Sequence, residues 1–128
     1  VLDLDHLKKI NDTHGHAVGD AVITRIARVI TKCIREADAA GRLGGDEFVI
    51  LFDGAGVEIA ERACERIRDE LRDSSIRLGD AIVEGITLSG GISGIVGTDQ
   101  NIDAALARAD SLMYSAKQMG RNTVHTTA

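Results

Sequence analysis

The chain has 128 residues and a mass of 13.6 kDa, the size of one domain that folds without disulfide or metal staples. Hydrophobic residues make up 44% and charged residues 27%, globular values that exclude a disordered chain. A net charge of -5 and 2% aromatics (Phe48, Phe52 and Tyr114) argue against a phosphate-backbone groove or a base-stacking platform for nucleic acid.

Val1 to Leu4 reads as a strand, and as the inside of a domain rather than its start, so a longer parent chain is expected. Asp5 to Thr13 predicts a short polar helix. Gly19 to Arg35 predicts a longer one, with Val22, Ile23, Ile26, Val29, Ile30, Cys33 and Ile34 in helical period. Two extended runs about Gly44-Gly45, ending at Phe52, signal a β-hairpin, because glycine accepts the positive φ of primed turns. Val57 to Leu71 is the next helix, with Ala60, Ala63, Cys64, Ile67 and Leu71 on one face. Residues 82–95 are β-rich about a Gly90-Gly91 break. Ile102 to Lys117 is a third long helix, with Gly120 as its C-cap, and Thr123-Val124 opens a last strand. Strands alternating with helices about a hairpin predict an α/β fold with a mixed sheet. Cys33 and Cys64 lack CxxC spacing and read as reduced core residues of a cytosolic domain. No apolar run is long enough to span a membrane.

Acids gather at predicted strand ends. Asp3 and Asp5 flank Leu4, and Asp46 and Glu47 lie at the hairpin tip. Asp3 and Asp5 share a face unless the strand ends between them. These acids are either solvated turn residues or a converging cluster that a hard cation such as Mg²⁺ relieves. Gly44 and Gly45, free of side chains, allow a ligand close to the backbone beside them. Asn11 and Asp20 suit the guanine edge, Asp20 accepting from N1–H and the exocyclic amine. They equally suit a helix end and the first turn of the next helix. Lys117 and Arg121, four apart on the last helix and its exit, form a cation pair for a triphosphate or a favourable charge at a helix C-terminus. His14 and His16 lack a third ligand at zinc spacing and read as loop residues, and His6 and His125 as exposed.

Taken in order, these segments resemble the GGDEF domain of diguanylate cyclases over nearly the whole chain. Gly44-Gly45-Asp46-Glu47-Phe48 is similar to that family's name motif. Asp3-Leu4-Asp5-His6-Leu7-Lys8-Lys9-Ile10-Asn11-Asp12 and His14-Gly15-His16-Ala17-Val18-Gly19-Asp20 resemble the segments that open the site. Thr87-Leu88-Ser89-Gly90-Gly91-Ile92 resembles a late strand. Ala109-Asp110, Tyr114-Ser115-Ala116-Lys117 and Gly120-Arg121-Asn122 resemble the closing helix and its exit.

The resemblance implies a mixed central sheet flanked by helices, in the architecture of nucleotidyl cyclases and polymerase palms. It implies that two GTP are condensed to cyclic di-GMP and pyrophosphate by a homodimer. Asp3, the Leu4 carbonyl, Asp46 and Glu47 would ligate Mg²⁺ or Mn²⁺, with Asp46 and Glu47 catalytic. Asn11 and Asp20 would read guanine. Gly44, Gly45, Lys117 and Arg121 would meet the phosphates. Arg35 and Asp38 match an RxxD product-inhibition motif, with Arg66 as its second arginine. The alternative is a non-catalytic module that binds GTP or cyclic di-GMP.

The resemblance also implies an N-terminal sensor partner and a cytoplasmic location, free or as part of a membrane-anchored protein. Residues 1–128 would be a GGDEF domain lacking the family's first helix and its DxLTGLxNR-like segment. Two departures stand out: Leu7 where the family has Phe, and Gly90 where it has a branched residue, which predicts a bulge.

Overall fold

The computed structural model describes residues 1–127. In chain order the elements are β1 (Leu2–Leu4), α1 (Leu7–His14), α2 (His16–Cys33), β2 (Ala39–Arg42), β3 (Glu47–Leu51), α3 (Val57–Arg72), β4 (Ser75–Leu78), β5 (Ala81–Glu84), β6 (Leu88–Ile92), α4 (Ile102–Gln118) and β7 (Val124–Thr126). Five strands form one sheet in the order β2-β3-β1-β6-β7. β1 runs antiparallel to both β3 and β6, and β7 runs parallel to β6, so the sheet is mixed as the sequence predicts.

β1 is short but central. Leu2 and Leu4 turn into the core and are buried, while Asp3 between them points to the other face. The core is aliphatic except for Phe48. Val22, Ile26 and Ile30 of α2 meet Ala60, Cys64, Ile67 and Leu71 of α3 against the sheet. Leu7 is half-buried against the same core, so the smaller side chain still packs. Cys64 is buried and Cys33 half-buried, both as free thiols, and burial pushes the pKa of each upward, to about 11 for Cys64. Thiols so held are inert.

Several elements differ from their predicted form. The first helix begins at Leu7 rather than Asp5, because His6 takes left-handed backbone at φ 62. α2 begins at His16, with Gly15 at φ 91 the lone residue between α1 and α2. His14 and His16 are therefore helix ends rather than loop residues. His125 lies half-buried in β7 instead of exposed. β4 escaped the sequence reading. It pairs only with β5 in a separate two-stranded sheet, turning at Gly79 with φ 60.

The Gly44-Gly45 turn is not a primed turn. Neither glycine has a positive φ, and residues 43–46 form a longer loop. Arg42 braces it, donating through Nε to Gly44 O at 2.9 Å and through Nη2 to Gly45 O. A Cβ on either glycine would meet nothing within 4 Å. Their bareness opens space instead of relieving a crowded turn.

Gly90 and Gly91 neither break nor bulge the sheet. β6 runs unbroken, with Leu2, Asp3 and Leu4 opposite Gly90, Ser89 and Leu88. A Cβ at Gly90 would come within 2.5 Å of Leu2 Cδ2 and 2.9 Å of the Val1 carbonyl. One at Gly91 would strike Ala109 O and approach Met113 N at 2.6 Å. α4 thus lies directly on bare backbone, and a branched residue at either position has no room. Helix backbone cannot swing aside as a side chain can. Gly91→Ala is therefore expected to lower stability by about 3 kcal/mol or more in urea unfolding, at the upper end of overpacking costs.

Candidate active site

The site forms where β1 ends. Leu4 N–H donates to Asp46 O, and Asp5 N–H donates to Thr87 O, both at 3.0 Å. Successive N–H groups thus bond opposite neighbours, as along any central strand. β1 ends at Leu4, and the Asp3 and Asp5 carboxylates both reach the Lys117 ammonium, at 3.6 Å and 3.2 Å.

Their surroundings are opposite in kind. Asp5 is buried and saturated with donors. It accepts from Thr87 Oγ1 and Ser89 Oγ at 2.7 Å, Asn122 N at 3.1 Å and Lys117 Nζ at 3.2 Å. Burial pushes its carboxyl upward, but bonds from Ser89, Thr87, Asn122 and Lys117 outweigh burial and hold it below the usual value.

Asp3 sits opposite Glu47 in the β1–β3 register, and its Oδ1 is buried with no hydrogen-bond donor. Burial, with the nearby Asp46 and Glu47 carboxylates, pushes Asp3 up to about 7 despite the Lys117 ammonium. Glu47 is also raised, by burial and by Asp110 and Asp46.

Lys117, the cation expected at a triphosphate, reaches the end of β1. Its ammonium rests on the Leu4 carbonyl at 3.2 Å and 3.6 Å from Asp3 Oδ1. Converging oxygens need positive charge, and the lysine supplies it. Arg121 does not share a helical face with Lys117. α4 stops at Gln118, and Arg121 is an exposed residue in left-handed backbone at φ 66. Gly120, at φ 112, falls one residue beyond the Met119 cap. Among the described residues, no three His, Cys, Asp or Glu side chains form a ready metal-ligating group.

Asn11 and Asp20 lie on the packed pair α1 and α2. A Cβ on Gly19 would collide with Asn11 Oδ1, so the asparagine amide lies against bare helix backbone. That oxygen is buried without a partner, and Asp20 beside it is exposed. A buried acceptor is seldom left unfilled, so this oxygen calls for a partner that the described residues do not supply.

Arg35 and Asp38 lie not on a helix but on the loop after α2. Asp38 accepts from Arg35 N at 2.8 Å, Arg35 Nη2 at 2.9 Å, Arg35 Nε at 3.2 Å and Asp53 N at 3.1 Å. The Arg35 guanidinium holds the Asp38 carboxyl down at about 2. Arg66 donates to Cys33 O at 3.0 Å, which brings it to the end of α2 just before Arg35.

A family model described as diguanylate cyclase, GGDEF domain, matches residues 1–123. The chain belongs to the GGDEF family. It is 38% identical over 124 residues to diguanylate cyclase A of Treponema denticola, covering 97% of this chain and 33% of that one. It is 37% identical over 126 residues to the response regulator PleD of Caulobacter vibrioides, covering 97% and 28%. The GGDEF domain of DgcB from Caulobacter crescentus, solved in complex with c-di-GMP, superposes with a TM-score of 0.92 at 32% identity. That superposition covers 98% of this chain and 74% of DgcB's. Diguanylate cyclase SiaD from Pseudomonas aeruginosa, solved with its activator SiaC, gives 0.90 at 35% identity, covering 98% and 48%. The chain spans between 18% and 34% of the length of five of the curated relatives it matches.

Within this GGDEF chain, sequence reading missed the supports of the site. Asp5 was grouped with the acids of the cluster, yet it anchors the fold. Thr87 and Ser89 alternate along the β6 approach, a period-two signal that places both hydroxyls on one side. Arg68 of α3 donates through Nη2 to Asn122 Oδ1 at 2.9 Å, a link across 54 residues that nothing in local sequence signals.

Asp3 has a clear pH signature. A carboxyl held near 7 when folded and near 3.8 when unfolded keeps a proton that the unfolded chain has lost between those values. Stability falls as pH rises through that window. Asp3→Asn is expected to flatten the slope and raise stability at pH 8 by about 2 kcal/mol, read by urea titration at pH 5 and pH 8.

Proposed function

We propose that this chain forms the GTP-binding and catalytic part of a diguanylate cyclase, joining two GTP into cyclic di-GMP with release of pyrophosphate. One observation carries the reading: the buried, donor-less oxygen of Asp3, facing Glu47 beside the open Gly44-Gly45 loop. Family membership and the sequence likeness to diguanylate cyclase A support it.

The donor set suits a hard divalent cation, since two or three carboxylates and a main-chain carbonyl are all oxygen ligands. Asp3, Asp46, Glu47 and Leu4 O would hold Mg²⁺ or Mn²⁺, which when bound lowers the pKa of an attacking hydroxyl and offsets phosphate charge. Asp20 accepts from the guanine N1–H and exocyclic amine, and Asn11 brings its unfilled amide oxygen to the same edge. Adenine lacks that donor pair and is rejected. Gly44 and Gly45 let the phosphates lie against main chain. Lys117, at the base of the site, and Arg121, from the exposed turn, hold the triphosphate.

Two such sites face each other across a two-fold axis, so that the 3′-hydroxyl of one GTP meets the α-phosphate of the other. Glu47, its carboxyl raised by burial and neighbouring acids, receives the hydroxyl proton, and Asp46 orients the reacting phosphate. A homodimer is therefore needed, and a sensor part of a longer protein would govern the pairing. Cyclic di-GMP is also bound at Arg35, Asp38 and Arg66 as a brake. The DgcB complex with c-di-GMP supports ligand recognition by this kind of domain. Asp38 and the Asp53 carbonyl hold the Arg35 guanidinium in place through Nε and Nη2, and Nη1 is the edge offered to a phosphate or guanine.

The decisive measurement pairs two copies through a fused coiled coil and supplies GTP with Mg²⁺. Cyclic di-GMP and pyrophosphate are expected. A folded dimer that binds GTP but forms neither product overturns the cyclase reading and leaves a binding module. Asp46→Ala should reduce turnover by about 100-fold or more without lowering the melting temperature. Arg35→Ala should relieve inhibition by added cyclic di-GMP, and unchanged inhibition would remove the brake from these residues.

A further inference from the structure

Arg121 and Asn122 are consecutive, neither is glycine, and both hold left-handed backbone, at φ 66 and φ 49. Asparagine enters that region readily, but arginine stays there only where its surroundings over-determine it, and such positions collect at functional sites. Asn122 is fastened from two directions. Its N–H donates to Asp5 Oδ2 and to Ser89 Oγ, each at 3.1 Å. Its main-chain oxygen and its Oδ1 both accept from Arg68 Nη2, at 2.5 Å and 2.9 Å.

Arg68 comes from α3, far away in sequence. Its side chain is only 14% exposed. Glu65, one turn earlier on the same helix, accepts from Nη1 at 2.7 Å and 2.8 Å, and Nε is buried without a partner. An arginine left with an unpaired buried N–H is a poor choice for core packing alone. Among the described residues, its one hydrogen-bonded link to another part of the fold is the turn that carries Arg121.

We infer that Arg68 is a positioning residue for the nucleotide site. Through Asn122 it clamps the left-handed turn, and so aims the Arg121 guanidinium at the triphosphate. The inference rests on the phosphate role proposed for Arg121. Arg68 touches no substrate in this scheme, and its effect reaches the nucleotide only through its neighbour.

The coiled-coil-paired protein is titrated with GTP and with GMP, which lacks the outer phosphates. Arg68→Ala is expected to weaken GTP binding about tenfold, the scale of one charge-assisted hydrogen bond, and to leave GMP binding unchanged. In an Arg121→Ala background, Arg68→Ala should cost nothing further, because both changes remove the same contact. Arg68→Lys keeps one charged donor and should recover part of the GTP affinity. If Arg68→Ala does not fold, Arg68→Lys alone carries the cycle, with a smaller GTP-selective loss. Equal weakening of GTP and GMP, or losses that add in the double variant, overturns the inference. If Arg121→Ala weakens GTP but no Arg68 variant does, only the positioning role falls. If Arg121→Ala leaves GTP binding intact, the phosphate reading of Arg121 falls and this inference with it.

Discussion

The Asp5 carboxylate is the point on which the site is built. It is buried, and it collects bonds from Thr87 and Ser89 at the β6 edge, from Lys117 on α4 and from the Asn122 backbone beyond that helix. Strand, helix and exit turn are thereby tied to the residue that follows β1. A buried carboxylate is tolerable only when its oxygens are filled, and here both are. Because the knot is charged and desolvated, its geometry is narrow. That narrowness is passed to Asp3, two residues earlier, and to Arg121, one residue before the bonded Asn122.

The contrast between Asp3 and Asp5 shows how one short segment makes two different acids. Donors draw Asp5 below its ordinary pKa, whereas Asp3 has carboxylate neighbours and a bare oxygen and is driven upward. Two carboxyls pushed apart by their environments are a common sign of divided labour in an active site. Lys117 stands between them, bonded to Asp5 and to the Leu4 carbonyl and close to Asp3. Part of the acidity beside the GGDEF loop is thus desolvated and tied to a lysine rather than spread over the surface.

Close approach is the second device. Gly91 lets α4 lie on the sheet backbone, which brings Lys117 down to the end of β1. Gly19 lets the Asn11 amide lie on α2, with its oxygen buried and unfilled. Gly44 and Gly45 differ from both, since their missing side chains face open space. The same residue type thus packs helices in one place and leaves room for a ligand in another.

The local sequence by itself determined most of the elements. The apolar periods of α2, α3 and α4 are strong, because each helix buries one continuous stripe. The mixed sheet follows from the alternation of elements, and the ordered motifs identify the family and name nearly every candidate ligand. The tertiary structure decided what lies outside local pattern. β4 was hidden because a short strand in a small two-stranded sheet leaves little periodic signal. The Gly90-Gly91 pair reads as a break in sequence, and only the presence of α4 above it explains an unbroken strand. That one ammonium reaches both Asp3 and Asp5 depended on where α4 lies, since Lys117 is more than a hundred residues away in the chain. The Arg68–Asn122 link spans 54 residues and has no local signature. Periodicity records burial along one element, whereas the directions of buried polar groups are set by partners that only the folded chain brings near.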